Sequence, residues 1–347
     1  MLIFFGLFLS FLCAIFFLRY LRKYAIKIDF VDRPNDALKS HEKALPYLGG
    51  AGIFAASWIS ILCISFFENI INFQLVALFL LNFILLVVGT LDDKFHISWR
   101  IRLFIQLIVS TGTVYYLGLN ASENFFSFFF YVILLVGIIN SINLIDISDG
   151  LSTTISISAI IFLLFINIIM NNNIYLLLLM VCFFGALSYF LFLNFPPAKM
   201  YMGDGGSNCL GHILGVFAFI SFNHLNWVTG TLSTVLVLIV PLFDTLFVMA
   251  LRLSKRKNPF EGSPDHFAVR MRLNGYSSFF ILICALTFSA IGGFLAILIL
   301  VKSSPIFSAI LSTIIFSSLL LVAFILFKAF PINSDRNVFL RGGEYDS

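Results

Sequence analysis

Two neighbouring aspartates, Asp92 and Asp93, end a long apolar segment that runs over residues 73–91. A charged side chain is costly inside membrane hydrocarbon, so acids at the end of an apolar segment belong at the membrane surface. Two adjacent carboxylates can share a divalent cation, or one can bind the cation while the other handles a proton. A helix end that is simply solvated by water is the alternative interpretation of this pair.

A second segment spaces four polar side chains three residues apart, at Asn140, Asn143, Asp146 and Asp149. Each three-residue step on an ideal helix drifts by about 60°, so the four converge only if the helix breaks or tightens near Asp146. Gly150 offers a place for the chain to turn. Amides suit a nucleobase and carboxylates accept hydrogen bonds from ribose hydroxyls. Polar contacts between helices are the alternative for the two asparagines.

A glycine-rich segment over residues 196–207 reads PPAKMYMGDGGS and surrounds Asp204 with three glycines. Glycines let backbone amides approach an anion, and a helix that follows would direct its N-terminus at phosphate. Lys199 adds a positive charge, and the ring of Tyr201 could stack on a base. A plain turn is the alternative.

Two further motifs lie near the end of the chain. Asp244, in the sequence PLFDT, lies about 12 Å along a helix from Arg252, at about 1.5 Å per residue. An ionisable residue at that depth indicates function, and a buried pair with a basic group on the inside is the alternative. Asp265 and His266 stand beside Arg270 in the last polar loop, a set that suits pyrophosphate or a sugar.

The composition excludes a soluble domain. The 347 residues are 60% hydrophobic and 11% charged, with a mean hydropathy of +1.04. The five cysteines lie in apolar segments without a CxxC pair, so we expect small buried side chains rather than a metal site. The first apolar stretch has no basic residues before it and several after it, which predicts a retained first helix with its N-terminus outside.

Eleven apolar segments approach the roughly 20 residues that a helix needs to cross a bilayer. They are residues 1–19, 48–67, 73–91, 103–119, 125–143, 152–170, 174–194, 208–222, 228–250, 278–301 and 306–328. An odd number of spans with the N-terminus outside places the C-terminus inside. The sequence therefore predicts an all-α, polytopic membrane protein with a single domain over residues 1–347.

The charges agree with this topology. With the termini so placed, 20 of the 21 Lys and Arg residues fall on the inside, as do all acids except Glu68 and Glu123. Basic inside loops are what topology requires, so the positive net charge does not indicate nucleic acid. Topology does not require the acids, which therefore predict a polar site on the inside face.

Taken in order, these motifs closely resemble those of the polyprenyl-phosphate N-acetylhexosamine-1-phosphate transferases, the MraY/WecA superfamily. The resemblance runs from about residue 32 to residue 275. It rests on DRPN, a pair of aspartates, NxxNxxDxxDG, PAKxxMGDxGS and PxxDT. The opening DRPN is closer to the branch that transfers GlcNAc than to the branch that makes peptidoglycan precursors.

The resemblance implies a site on the cytoplasmic face of a bacterial plasma membrane. The expected partners are a UDP-N-acetylhexosamine, undecaprenyl phosphate, membrane lipid and Mg²⁺, with Mn²⁺ as an alternative ion and a homodimer left open. It makes Asp92, Asp93 and Asp204 the catalytic candidates, with Asp204 and Asp92 as metal ligands. The candidates for substrate contacts are Lys43, Asn140, Asn143, Asp146, Asp149, Lys199, Tyr201, Asp244, Asp265, His266 and Arg270.

Two departures from the family pattern leave the donor open. Ile147 stands where the family usually has glycine, and the HxHH run of the last loop reads His266-Phe-Ala-Val269. We expect transfer of GlcNAc-1-phosphate from UDP-GlcNAc, with UMP released, as the first step of a cell-envelope polysaccharide. A deoxy-hexosamine or MurNAc-pentapeptide donor is the alternative within the family.

A transporter or lipid flippase is the alternative from another class. Transporters tend to hold their ligands near the bilayer midplane between two related halves. The acids here end the spans on one side, and the sequence shows no internal repeat. Both observations favour the enzyme.

Overall fold

The computed structural model of the chain describes residues 1–32, 44–118, 125–170, 173–258, 263–302 and 305–330. Two short strands, β1 (Val31–Asp32) and β2 (Leu45–Pro46), form an antiparallel pair. The described helices are α1 (Leu2–Lys27), α2 (Gly49–Phe67), α3 (Phe73–Phe95), α4 (Trp99–Tyr116), α5 (Phe125–Ile145), α6 (Leu151–Met170), α7 (Ile174–Asn194), α8 (Gly203–Phe222), α9 (Trp227–Val237), α10 (Ile239–Ser254), α11 (Phe267–Leu273), α12 (Ser278–Lys302) and α13 (Pro305–Ala329).

Membrane-crossing helices dominate this architecture. In the described part of the chain, eight helices are long and apolar enough to cross a membrane, and the bent pair α9 and α10 makes nine if it counts as one span. The predicted all-α, polytopic membrane fold is therefore confirmed. The count of eleven spans and the sides on which the termini lie stay predictions.

The ninth predicted span, residues 228–250, is not one continuous helix. It consists of α9 and α10, which meet at an angle of 87° with Leu238 between them. Pro241 has no backbone N–H, and its ring crowds the carbonyl group four residues earlier, at Val237. The proline thereby accounts for the end of α9 at Val237.

Two helices continue beyond their apolar segments into the polar motifs. Helix α3 runs on to Phe95, so Asp92 and Asp93 lie in its last turn rather than after it. Helix α8 begins at Gly203, five residues before the predicted start at residue 208, so Asp204 lies in its first turn. The apolar pattern marks the membrane-embedded part of a helix and misses a polar end.

Helix α8 is the central helix of the bundle, and glycines bring its neighbours against its first turn. A Cβ atom on Gly50 of α2 would lie 2.0 Å from the Cα atom of Gly206, and one on Gly89 of α3 would lie 2.4 Å from the backbone nitrogen of Gly205. Small residues allow helix backbones to approach this closely. The start of α8 is thereby held between α2 and α3.

We expect the Gly50→Ala variant to be destabilised by about 1–3 kcal/mol, the range typical of overpacking. The added methyl group would meet backbone atoms of Gly206, which cannot rotate away. Gly137→Ala in α5 is the matched control, because a Cβ atom there meets nothing within 4 Å. Thermal unfolding in detergent measures both, and equal melting temperatures would contradict the close contact.

A buried hydrogen-bond network joins four helices within the apolar core. Asn82 of α3 accepts from the indole nitrogen of Trp58 at 3.0 Å and contacts Nδ1 of His212 on α8 at 3.1 Å. Nε2 of His212 lies 2.8 Å from the hydroxyl of Thr113 on α4. The network therefore fixes the alignment of α2, α3, α4 and α8, of which α3 and α8 carry acids at their polar ends.

Candidate active site

The three predicted catalytic acids lie together where α3 meets the start of α8. The carboxylate of Asp93 accepts the backbone N–H of Asp204, with Oδ1 at 3.0 Å and Oδ2 at 3.1 Å. A carboxylate in this position satisfies an unpaired amide and interacts favourably with the helix dipole. Gly203 has a φ of +76°, and a Cβ atom there would lie 2.7 Å from Oδ2 of Asp93. Asp93 thus fixes the direction in which Asp204 leaves the helix.

Arg102 of α4 links the other two carboxylates. Its Nη1 atom donates to Oδ2 of Asp92 and, at 3.2 Å, to Oδ2 of Asp204. Asp92 is buried, whereas Asp204 is about one-third exposed. One positive group therefore lies between two acids that come from different helices.

Asn143 and Asn140 both belong to a network of side-chain amides next to the acid cluster. Asn140 donates to Oε1 of Gln106 at 2.7 Å and to the carbonyl of Val136 at 2.9 Å, so both of its amide protons are engaged. Asn143 lies 3.5 Å from Asn208 and within hydrogen-bonding reach of Asp204. The geometry places Asn143 at the acid cluster and Asn140 one step behind it.

The helix breaks near Asp146, which is one of the two conditions under which the four polar side chains could converge. Helix α5 ends at Ile145, and a turn follows that closes at Gly150 with a φ of +72°. Asp146 accepts the hydroxyl proton of Ser152, and Asp149 accepts the backbone N–H of Ala198 at 3.0 Å. Burial raises the pKa of Asp146 to about 7, because a buried carboxyl is favoured in its protonated form.

Asn194, at the end of α7, holds the glycine-rich segment against this turn. Its side chain accepts from the backbone N–H of Gly150 at 3.1 Å and donates to the carbonyl of Met200 at 3.1 Å. Lys199 is exposed, whereas Tyr201 is partly buried with its ring 6.1 Å from that of Tyr47. Burial, with the nearby charge of Asp149, raises the pKa of Tyr201, so its hydroxyl keeps its proton and can donate.

Asp244 pairs with His266 of the last loop. Oδ2 of Asp244 lies 2.6 Å from Nδ1 of His266, and Oδ1 accepts the backbone N–H of Phe267 at 2.9 Å. Arg252 donates to the carbonyl of Asn258 at 2.5 Å. The basic partner of Asp244 is His266. A carboxylate at Nδ1 sets the orientation and tautomer of an imidazole.

Asp265 and Arg270 form a salt bridge with each other. Arg270 donates to Oδ1 of Asp265 at 2.5 Å and to the carbonyl of Phe330 at 3.0 Å, while Lys255 lies 3.1 Å from the same acid. Burial alone would raise the pKa of Asp265, but the hydrogen bonds from Lys255 and Arg270 outweigh it and hold the pKa below its usual value. These contacts stabilise the fold of the loop.

A second arginine of this loop reaches the turn after α5. Nη2 of Arg272 donates to the hydroxyl of Ser148 at 2.6 Å, and its charge acts on Tyr201. The last loop therefore closes over the segment that carries Asp146 and Asp149. Lys43, the remaining predicted contact, lies outside the described residues, as does most of the DRPN segment.

Comparison of the sequence with known proteins places this chain in a family. The model described as Glycosyl transferase family 4 matches residues 75–222. A probable undecaprenyl-phosphate N-acetylglucosaminyl 1-phosphate transferase of Bacillus subtilis is 30% identical over 266 residues, which are 74% of this chain and 72% of that protein. The chain belongs to glycosyl transferase family 4.

Two further relatives are named for different activities. An undecaprenyl-phosphate alpha-N-acetylglucosaminyl 1-phosphate transferase of Thermotoga maritima is 30% identical over 277 residues, 78% of this chain and 83% of that protein. A phospho-N-acetylmuramoyl-pentapeptide-transferase of Streptococcus gordonii is 29% identical over 273 residues, 70% of this chain and 79% of that protein. The expected superfamily is thus confirmed, and the protein is a membrane-embedded transferase.

The acid cluster of this family 4 protein offers the carboxylate oxygens that a hard divalent cation prefers. Oδ2 atoms of Asp92 and Asp204 already face a common positive group, and carboxylate oxygens are the ligands that Mg²⁺ prefers. Among the described residues, no three His, Cys, Asp or Glu side chains are grouped to hold a metal by themselves. Mg²⁺ commonly binds through one or two carboxylates together with substrate phosphates and water, so a two-carboxylate site fits it.

The sequence did not single out four residues that organise the site: Arg102, Gln106, Asn194 and Asn208. Arg102 follows the acid pair closely but has the same appearance as a topology-setting charge. Gln106 and Asn208 lie in apolar helices, where a lone amide is itself a signal of a polar contact. That signal was available for both.

Proposed function

We propose that this family 4 protein transfers N-acetylglucosamine 1-phosphate from UDP-GlcNAc to undecaprenyl phosphate. The observation that carries the proposal is the shared cation position between Asp92 and Asp204, next to the turn that carries the carboxylates of Asp146 and Asp149. The names of the relatives from Bacillus subtilis and Thermotoga maritima supply the acceptor and the sugar. The product would be the first lipid-linked intermediate of a cell-envelope polysaccharide such as lipopolysaccharide or O-antigen, made at the cytoplasmic face of the bacterial plasma membrane.

The reaction exchanges one phosphate bond for another. An oxygen of the lipid phosphate attacks the sugar-bearing phosphorus of the UDP-sugar. The bond from that phosphorus to the bridging oxygen breaks, and UMP leaves with that oxygen. A phosphate monoester has a second pKa near 6, so the acceptor is largely ionised and needs no strong base.

Catalysis of such a transfer consists mainly of positioning and of charge neutralisation. Asp204 and Asp92 would hold Mg²⁺, which supplies charge neutralisation at the phosphates when bound; Mn²⁺ would serve in its place. Asp93 keeps Asp204 in place through its backbone amide. The remaining lone pairs of the Asp93 carboxylate can orient the acceptor or take a residual proton.

The turn after α5 and the glycine-rich segment would bind the uridine part of the donor. Asn143 and Asp149 offer amide and carboxylate groups, and the neutral hydroxyl and ring of Tyr201 suit the base. Exposed Lys199 can approach a phosphate. His266, held by Asp244, would face the sugar or its phosphate.

A second donor is also supported by a specific observation. The last loop carries His266 but Ala268 and Val269 where the family pattern has further histidines. A family 4 relative transfers phospho-N-acetylmuramoyl-pentapeptide. Another UDP-N-acetylated sugar, either a deoxy-hexosamine or MurNAc-pentapeptide, is therefore the second candidate.

The test is release of UMP by purified protein with Mg²⁺, undecaprenyl phosphate and a panel of UDP-N-acetylhexosamines. We expect release only when lipid and metal are both present, and removal of the metal with EDTA should abolish it because the substrate phosphates lose their neutralising charge. UDP-GlcNAc should be the best donor. Folded protein that neither binds nor cleaves any UDP-sugar would contradict the proposed function.

A further inference from the structure

The bridge that Arg102 makes between Asp92 and Asp204 occupies the position that a metal ion would need. Both contacts come from one atom, Nη1, and both end on an Oδ2 atom. Mg²⁺ binds carboxylate oxygens at about 2.0–2.1 Å. An ion on these two oxygens and the guanidinium nitrogen cannot share that space.

Arg102 also has an electrostatic reason to lie between the two acids. Two carboxylates close together repel each other, and one of this pair, Asp92, is buried with only 7% of its side chain exposed. The guanidinium offsets both charges. Arg102 itself is only partly buried, at 32% exposure, so it has room to leave when another cation arrives.

From these contacts we propose that Arg102 is a placeholder cation. It occupies the site between Asp92 and Asp204 until a divalent metal binds, and it then moves onto a phosphate group of a substrate. A guanidinium is a planar fork that matches phosphate oxygens, so the displaced side chain exchanges one pair of anionic partners for another. This inference rests on the proposed function, because it uses the same metal and the same substrates.

The exchange predicts coupling between metal and substrate. The metal has to displace Arg102 in the free protein, whereas a bound phosphate receives the guanidinium and makes that displacement easier. Coupling between two ligands is reciprocal, so metal should strengthen phosphate binding by the same factor. The site would then bind metal weakly until a substrate is present.

The first measurement is Mn²⁺ affinity without substrate, followed by electron paramagnetic resonance of the free ion. Arg102→Gln removes the competing cation, so we expect it to bind Mn²⁺ about tenfold more tightly than the wild type, within the usual range of such couplings. Arg102→Lys retains a cation and should resemble the wild type. Arg100→Gln is the matched control, because Arg100 is exposed on the same helix and lies over the ring of Trp99.

Folding and phosphate transfer are followed separately. Helix content and melting temperature show whether each variant is folded, and Arg102→Met provides a second neutral variant if Arg102→Gln does not fold. Undecaprenyl phosphate and UDP-GlcNAc are then added one at a time. The substrate whose addition tightens Mn²⁺ binding more in the wild type than in Arg102→Gln carries the phosphate that receives Arg102.

Folded Arg102→Gln that binds Mn²⁺ no more tightly than Arg100→Gln would overturn the placeholder role. Equal tightening by both substrates in wild type and Arg102→Gln would overturn the transfer to phosphate. UMP release by the wild type in either case leaves the proposed function intact. A tenfold gain in Arg102→Gln, with no UMP release from any donor, would support the placeholder and contradict the proposed function.

Discussion

Replacement of Asp204 by Asn is expected to lower the rate of UMP release by at least about 10²-fold, the loss typical of a single preorganised electrostatic group. Asn keeps the shape of the side chain and the backbone N–H that Asp93 accepts. The substitution removes only the negative charge of the side chain, which lies beside Arg102 and the proposed metal position. The measurement is the initial rate at saturating Mg²⁺, donor and lipid, with protein shown to be inserted and folded.

Glu68→Gln is the matched control for this loss. Glu68 is an exposed acid directly after α2, at the opposite end of that helix from Gly49, which packs against Tyr201. Its neutralisation changes the net charge by the same amount and should leave turnover unchanged. Near-wild-type activity of folded Asp204→Asn would remove Asp204 from the metal site and with it the mechanism proposed above.

Replacement of Asp244 by Ala is expected to destabilise the protein by several kcal/mol. The substitution leaves two buried donors without an acceptor, Nδ1 of His266 and the backbone N–H of Phe267. Each such loss costs about 1–3 kcal/mol. Activity should fall as well, because the last loop loses the contact that orients His266. Thermal unfolding in detergent and UMP release measure the two effects.

The neighbouring variant Thr245→Val separates this effect from a general intolerance of α10. The hydroxyl of Thr245 is buried and has no hydrogen-bond partner among the described residues. Its removal by a residue of similar shape should be neutral or slightly stabilising. If Asp244→Ala and Thr245→Val had the same melting temperature, the Asp244–His266 pair would have no structural role.

Much of the fold was predictable because hydrocarbon imposes a simple pattern on the chain. Long apolar segments identified the spanning helices, and spacing by threes with a following glycine indicated either a break or a tightening of the helix near Asp146. The bend at Leu238 was missed, because α9 and α10 are both apolar and form one continuous apolar segment. Pro241 was the available signal for the bend. Apolar composition indicates that a segment lies in the membrane, but it does not indicate the direction of the helix axis.

The site was predictable in its acids and unpredictable in its pairings. Asp92, Asp93 and Asp204 stand out because acids are rare in such a chain. Nothing local shows that Arg102, rather than Lys94, faces them, because every basic residue near a membrane surface satisfies the same topological rule. The sequence left the basic partner of Asp244 unnamed, because that partner, His266, comes from a loop 22 residues later in the chain.

The glycine contacts and the buried amide–imidazole network also limit how this protein can move. A slide of one helical turn, about 5.4 Å, would separate Asn82 from His212 and would drive the backbones at Gly50 and Gly206 into side chains. Rocking of one half against the other, on which alternating access depends, would break the same contacts. The bundle is therefore a stationary platform, and the catalytic cycle is carried by side chains and loops at one of its ends.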